Sequence, residues 1–258
     1  MESILFKIEN GIAFITLNRP EVYNSFNREM ALSFQSYIDQ CAEDPEVRCL
    51  YLTGNGKAFC AGQDLKEVTD PNGPELSDIV REHYNPMIQK MREIEKPIVC
   101  AVNGVAAGAG ANIALACDIT VAKSSAKFIQ AFSKIGLIPD SGGTFFLPRI
   151  IGMQRAAALT MLGEKVSAAD AVEMGMIYKS FSDETFEEEA LAIAQKLAKM
   201  PTRGIGLTKR AFNYSCHNDL DTQLGIEEQL QTAASITEDY EEGVAAFLEK
   251  RKPTFKGA

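Results

Sequence analysis

The apolar and polar positions of the chain change period several times, and each change marks an element. Residues 4–8 and 12–17 alternate with period two and are joined by Glu9-Asn10-Gly11, whose Asn-Gly pair favours a tight hairpin turn. From Asn27, a good helix N-cap, the residues Met30, Phe34, Tyr37, Ile38 and Cys41 follow helical spacing until Asp44-Pro45 stops the pattern. A strand is predicted from Arg48 to Thr53, then a helical stretch over 75–93. Pro97 introduces the apolar run Ile98-Val99-Cys100-Ala101-Val102, which reads as a buried parallel strand, and another short strand is expected from Ile119 to Ala122.

A helix is expected at 109–116. From 144 onward the whole pattern reads as helical, with amphipathic pieces near 153–162, 167–174, 185–199, 201–216, 219–234 and 238–250. Strands alternating with helices, on connections long enough for parallel pairing, predict an α/β core. The final helices carry apolar stripes that an isolated helix cannot bury, so packing against another subunit is expected.

Composition narrows the function classes. With 258 residues, 46% of them apolar, the chain can bury a sizeable core. Its net charge of −9 comes with scattered basic residues and no continuous basic track, which argues against nucleic acid as a partner. Neither a signal-like start nor an apolar run of about 18 residues is visible, so a cytoplasmic protein without a membrane partner is expected. The six cysteines form no C-x-x-C pair and read as small buried hydrophobes. The two histidines, His83 and His217, have no cluster of ligands around them in the sequence, so neither a zinc site nor a Ser-His-Asp triad is expected.

Three loops place glycine and alanine where strands hand over to helices: Gly54–Leu65, Asn103–Asn112 and Gly136–Thr144. Small residues let a ligand approach the backbone, and loops at strand C-termini carry ligands in α/β folds. Two such loops can each offer one N–H, and the positive end of the 109–116 helix suits an anionic oxygen. The dinucleotide fingerprint is incomplete, because Ile113 stands where its third glycine belongs, and Gly56-Lys57 lacks the upstream glycine of a P-loop. Taken alone, these glycines also fit ordinary tight turns.

The same loops carry a resemblance. Asn18-Arg19-Pro20, Ala58-Phe59-Cys60-Ala61-Gly62-Gln63-Asp64-Leu65, Ala101-Val102-Asn103-Gly104, Gly108-Ala109-Gly110, Ala116-Cys117-Asp118-Ile119, Gly142-Gly143-Thr144 and Glu242–Arg251 occur in order and at the right spacing. The chain thereby resembles the crotonase (enoyl-CoA hydratase/isomerase) superfamily from Ile4 through Phe255. The resemblance implies an α/β, crotonase-like spiral of β-β-α units over 1–200, followed by a C-terminal helical trimerisation region over 201–258. It further implies an acyl-CoA substrate, no separate cofactor, and a homotrimer or dimer of trimers. Main-chain N–H groups of Gln63 and Ala109 would bind the thioester oxygen. Ala61, Asp64, Leu65 and Lys66 would line the adenosyl end of CoA, with Val22 and Asn24 near the pantetheine. Lys66, Lys250, Arg251 and Lys256 are candidate phosphate partners, although solvated charge is the default for each.

One departure from the family pattern is informative. The two glutamates that activate water in hydratases match Asn112 and Phe132 here, and neither is an acid or base at neutral pH. Phe132 is assigned instead to the substrate pocket. Asp140 stands in a loop where hydratases usually have glycine, and segment 131–144 with Tyr84-Asn85-Pro86 looks like the family branch that isomerises ring epoxides and 3-enoyl thioesters. The implied reactions are 1,2-epoxyphenylacetyl-CoA to oxepin-CoA and 3-enoyl-CoA to 2-enoyl-CoA, with Asp140 as the acid/base. Leu137, Ile138, Pro139 and Phe132 are expected to bury it and raise its pKa. Other readings of the residues stay open: Asp140 as a helix cap or as a nucleophile, a hydratase, or a non-catalytic binding subunit. His83 and Tyr84 are expected along the acyl pocket or on a half-exposed helix face, and Asn112 as a polar residue at a helix start.

Overall fold

A computed structural model describes residues 2–258. Strands β1 (Ile4–Glu9) and β2 (Ile12–Leu17) pair antiparallel, from Ile4 opposite Leu17 to Glu9 opposite Ile12. Asn10 and Gly11 both have positive φ, 52° and 78°, the geometry of a two-residue hairpin turn. Helix α1 (Arg28–Glu43) starts where Asn27 accepts a bond from the Met30 N–H at 3.0 Å. Its apolar stripe of Met30, Ala31, Phe34, Ile38 and Cys41 is buried against the sheet.

The middle of the chain winds as a spiral in which each turn supplies one strand to each of two sheets. Strands β3 (Cys49–Gly54) and β4 (Ala58–Cys60), then helices α2 (Leu65–Thr69), α3 (Leu76–Asp78) and α4 (Asn85–Glu93), make the first turn. Strands β5 (Ile98–Val102) and β6 (Val105–Ala107) with α5 (Ala109–Ala116) make the second. Strands β7 (Ile119–Lys123) and β8 (Lys127–Ile129) start the third, which continues through a short 3-10 turn at Ala131–Ile135 into α6 (Gly143–Ile151) and α7 (Met153–Leu162). At the corner between the first two turns, Asn103 accepts from the Gly54 N–H at 3.1 Å and donates to the Gly56 carbonyl at 3.0 Å, tying successive turns together.

Strand β9 (Lys165–Ser167), helix α8 (Ala168–Glu173), strand β10 (Lys179–Phe181) and helix α9 (Phe186–Leu197) follow. The larger sheet then has the order β1-β2-β3-β5-β7-β10 and the smaller β4-β6-β8-β9. The expectation that everything beyond 144 is helical is therefore corrected by β9 and β10. Each has three residues, too few for a period to show, and each exists because an open sheet edge lies beside it. Strands β4 and β6 of the smaller sheet were likewise hidden inside segments that read as glycine loops. The expected helix over 75–93 contains a π-helical turn at Ile79–Tyr84, which brings His83 and Tyr84 inward.

Helices α10 (Thr202–Ser215), α11 (Leu220–Ser235) and α12 (Glu238–Glu249) complete the chain. Helix α10 is pinned to the core by Lys209, whose Nζ lies 2.8 Å from Asp118 Oδ2, while Arg92 holds the other oxygen of Asp118 at 2.9 Å. Helices α11 and α12 bury little and expose Leu220, Leu224, Ile236, Phe247 and Leu248.

Candidate active site

The first wall of the site is the stretch after β4. Ala61 N–H donates to the Tyr23 carbonyl at 3.0 Å, Phe26 N–H to Gly62 at 2.7 Å, and Asp64 N–H to Phe26 at 2.8 Å. Phe26 and Gln63 thus form a parallel bridge that uses the Gly62 carbonyl and the Asp64 N–H on either side of Gln63. Alternate amides of an extended segment face opposite edges, so the Gln63 N–H is turned away from Phe26.

The second wall is the start of α5. Gly108, with φ of 54°, donates to the Ile129 carbonyl at 2.9 Å, and Ala109 is the first helical residue. Its N–H has no intrahelical acceptor and sits at the positive end of the helix. The two walls touch: a Cβ on Gly62 would lie 3.3 Å from Ala109 N, and one on Gly110 would lie 2.3 Å from the Cys60 carbonyl. Only glycine permits this approach, and it seats the residue before Gln63 against the start of α5.

The Gln63 side chain is locked from both ends. Tyr84 Oη donates to Oε1 at 2.9 Å, and Nε2 donates to Glu67 Oε2 at 2.8 Å. Glu67 Oε1 in turn accepts the Arg28 N–H at 2.8 Å. Tyr84, fully buried, is the last residue of the π-helical turn. Burial, with the Asp140 charge as a smaller cause, holds its phenol well above the usual range. Tyr84 therefore touches the Gln63 wall and senses Asp140.

Asp140 lies on the third turn. Burial pushes its carboxyl up to about 6, and the Ser141 hydroxyl, donating to Oδ1 at 2.9 Å, opposes the rise. Of the neighbours expected to bury it, Phe132 is buried and Pro139 half-buried, whereas Ile138 is 80% exposed and Leu137 37%. Asp140 is not a helix cap: Gly142 occupies the cap position of α6, and no side chain caps it. Phe132 is buried with its ring beside Gly108, where a Cβ would stand 3.8 Å from Cζ, so it forms an apolar wall next to Ala109.

The expected CoA-lining residues divide into two groups. Val22 is half-buried, while Ala61, Leu65 and Lys66 are exposed at the rim. Asn24 is a correction: it has no exposed surface, accepting from the Arg19 N–H at 2.8 Å and donating to the Asn55 and Ala58 carbonyls at 2.9 and 2.8 Å. Its side chain holds the loop and offers nothing to a ligand. Asp64 is also committed, with Arg19 at 2.8 Å on one oxygen and the Lys66 N–H at 3.0 Å on the other. Arg251 is engaged by Glu242 and Glu249, and Lys256 by Glu238. His83 and Tyr84 line no open surface, each being 1% exposed.

Two functions escaped the sequence. Tyr84 gave no signal for its bond to Gln63. Asn112 gave one: it is the single polar side chain of the helix Ala-Gly-Ala-Asn-Ile-Ala-Leu-Ala, and a buried amide in such a helix needs partners. It has them in Asp140 and Gln130.

Residues 7–258 match the family model described as enoyl-CoA hydratase/isomerase. The chain is 50% identical to the 1,2-epoxyphenylacetyl-CoA isomerase of Escherichia coli (strain K12), over 100% of this chain and 99% of that protein. It is 36% identical to the trans-2-decenoyl-[acyl-carrier-protein] isomerase of Streptococcus mutans, covering 99% of this chain and 98% of the other. The crystal structure of an enoyl-CoA hydratase from Bacillus anthracis superposes with a TM-score of 0.93 at 34% identity, with all of both chains covered. Two turns of main chain held in contact by glycine, on a two-sheet spiral matched along its length by these relatives, place the molecule: the chain belongs to the enoyl-CoA hydratase/isomerase family.

Proposed function

We propose that this protein is an acyl-CoA isomerase that moves protons with Asp140 while the Gln63 and Ala109 N–H groups hold the thioester oxygen. The observation that carries the reading is a lone carboxyl, raised to about 6, on a turn bonded through Asn112 to α5, the helix whose first residue is Ala109, where a hydratase would need two acids. Asn112 and Phe132 occupy the positions of those acids and supply none. With a 3-enoyl-CoA, Asp140 removes a proton from C2, the electron pair moves onto the thioester oxygen, and the same carboxyl returns the proton to C4. The product is the 2-enoyl thioester, and no atom is gained or lost. Each amide donor contributes about 2.7–4 kcal/mol to holding the developing charge. A carboxyl that titrates near the working pH exchanges protons at low cost in both directions.

The relative from Escherichia coli supports 1,2-epoxyphenylacetyl-CoA as a second substrate, converted to oxepin-CoA. There the same amides stabilise charge drawn onto the thioester as the epoxide opens. Val22, Ala61, Leu65 and Lys66 lie on the rim assigned to CoA, and Phe132 on the acyl side. CoA belongs to the substrate, and the chemistry requires no other cofactor. The apolar residues exposed on α11 and α12 support assembly as a homotrimer or dimer of trimers. No described helix is long and apolar enough to cross a membrane, which agrees with a cytoplasmic location.

The test is Asp140→Asn, with conversion of 3-hexenoyl-CoA to the 2-enoyl product followed by absorbance. Loss of a proton-transfer group lowers kcat by about 10²–10⁴-fold. Full activity in this variant refutes the reading.

A further inference from the structure

Asn112 is completely buried in α5, and its amide nitrogen and oxygen each have one directional bond. Nδ2 donates to the Asp140 main-chain carbonyl at 2.9 Å, and Oδ1 accepts from Gln130 Nε2 at 2.8 Å. The orientation follows from chemistry, because the carbonyl of Asp140 accepts only, so the NH2 group must face it and the oxygen must face Gln130. The same side chain fills the space beside Gly143, where a Cβ would lie 2.2 Å from Nδ2.

The turn it grips is unusual. Ser141 and Gly142 both have positive φ, 51° and 74°, and for serine that conformation has a steric cost. The Gly143 N–H also bonds to the Asp140 carbonyl, at 2.8 Å, so this one oxygen takes the two bonds that close the turn. Ser141 Oγ then reaches Asp140 Oδ1 from within the strained pair. The direction of the Asp140 carboxylate is thereby set from α5, the helix that also carries the Ala109 amide at its start.

We propose that Asn112 is a positioning residue for proton transfer: by holding the Asp140 carbonyl it fixes the carboxylate relative to the amide pair, acting through Asp140 and touching no substrate. The inference rests on Asp140 being the proton-transfer group. An amide suits this task where a carboxylate does not. An ionised acid at 112 has no hydrogen for the Asp140 carbonyl, whereas a protonated one donates to it and still accepts from Gln130. Of the titratable side chains near Asn112, Asp140 titrates at about 6 and is common to wild type and any variant at 112, whereas Cys60 and Tyr84 do not titrate in this range. Burial pushes the Cys60 thiol up to about 12 and raises the Tyr84 phenol, so both stay protonated at neutral pH.

The experiment compares Asn112→Ala, Asn112→Asp and Asp140→Asn as purified full-length proteins, with kcat on 3-hexenoyl-CoA corrected for folded fraction. Asn112→Ala is expected to lose about 10- to 100-fold in kcat, the scale of a small misplacement of a reacting group, while Kd for unreactive hexanoyl-CoA changes by less than about twofold. Asn112→Asp is expected to come nearest to wild type at low pH, its kcat relative to wild type falling at least about tenfold between pH 5 and pH 8 as the new acid ionises, while the titration of Asp140 itself cancels in the ratio. A folded Asn112→Ala with unchanged kcat overturns the proposal, as does a flat pH ratio for Asn112→Asp. If Asn112→Ala does not fold, the pH ratio alone decides. Full activity of Asp140→Asn shows that the isomerase reading itself has failed, whereas an inactive Asp140→Asn beside normal Asn112 variants removes only the positioning role.

Discussion

The two halves of the site are built on opposite principles. At Gln63 and Ala109 the proposed chemistry belongs to the main chain, and the neighbouring glycines matter because they let two turns touch. At Asp140 the chemistry belongs to one side chain, aimed by a strained turn and gripped from α5. Under the proposed reading, the amide half would serve any thioester whose oxygen gathers charge. The Asp140 half decides what happens next to that oxygen, so one fold can change reactions by moving its acids while the amides stay in place. Asn112 illustrates the change, since a position that holds an acid in hydratases here serves to aim a different acid.

That division can be broken from either side. Ala109 is the first residue of α5, a position that tolerates proline, so Ala109→Pro removes the N–H donor with little cost to the helix. Its kcat is expected to fall about 10²–10³-fold with an unchanged circular dichroism spectrum; an active, folded variant would dissolve the amide half of the comparison. Tyr84→Phe removes one neutral hydrogen bond from Gln63 and is expected to cost about two- to tenfold in kcat/KM. A larger loss would place the phenol closer to the reaction.

The side-chain half has a pH signature. With its carboxyl at about 6, ionised Asp140 accumulates as pH rises, so kcat/KM is expected to climb through that value and then level. A profile already flat at pH 5 would contradict it. Stability runs the other way. The folded state holds the Asp140 proton more tightly than the unfolded chain, whose ordinary value is 3.8. That contribution is complete below 3.8 and is lost as pH rises through about 6. Asp140→Asn is therefore expected to be more stable than wild type at pH 8 by about 1–3 kcal/mol, and equal to it near pH 4. Thermal unfolding at the two pH values checks the sign.

Much of this molecule was legible as sequence wherever the controlling interaction is local. The Asn10-Gly11 turn, the Asn27 cap, the strand at Ile98–Val102 and the helices near 109–116 and 153–162 depend on neighbours a few residues away, and each stands where the pattern puts it. The family motifs marked the Gln63, Ala109 and Asp140 loops for the same reason, since glycines and an out-of-place acid are visible without partners. That the side chains of Asn24 and Asp64 staple the chain was not legible, because a polar residue inside a motif looks the same whether it faces a ligand or holds a loop.

Periodicity, caps, turn residues and the one acid replacing two were thus determined by the sequence alone. The three-residue strands of the smaller sheet, the bond from Tyr84 to Gln63 and the reach of Asn112 to Asp140 were decided only when the spiral closed. Those contacts join residues 21 and 28 positions apart or depend on an open sheet edge. Such pairings become favourable only after the intervening chain has paid its loop-closure entropy, and no local pattern records which of them the fold will select.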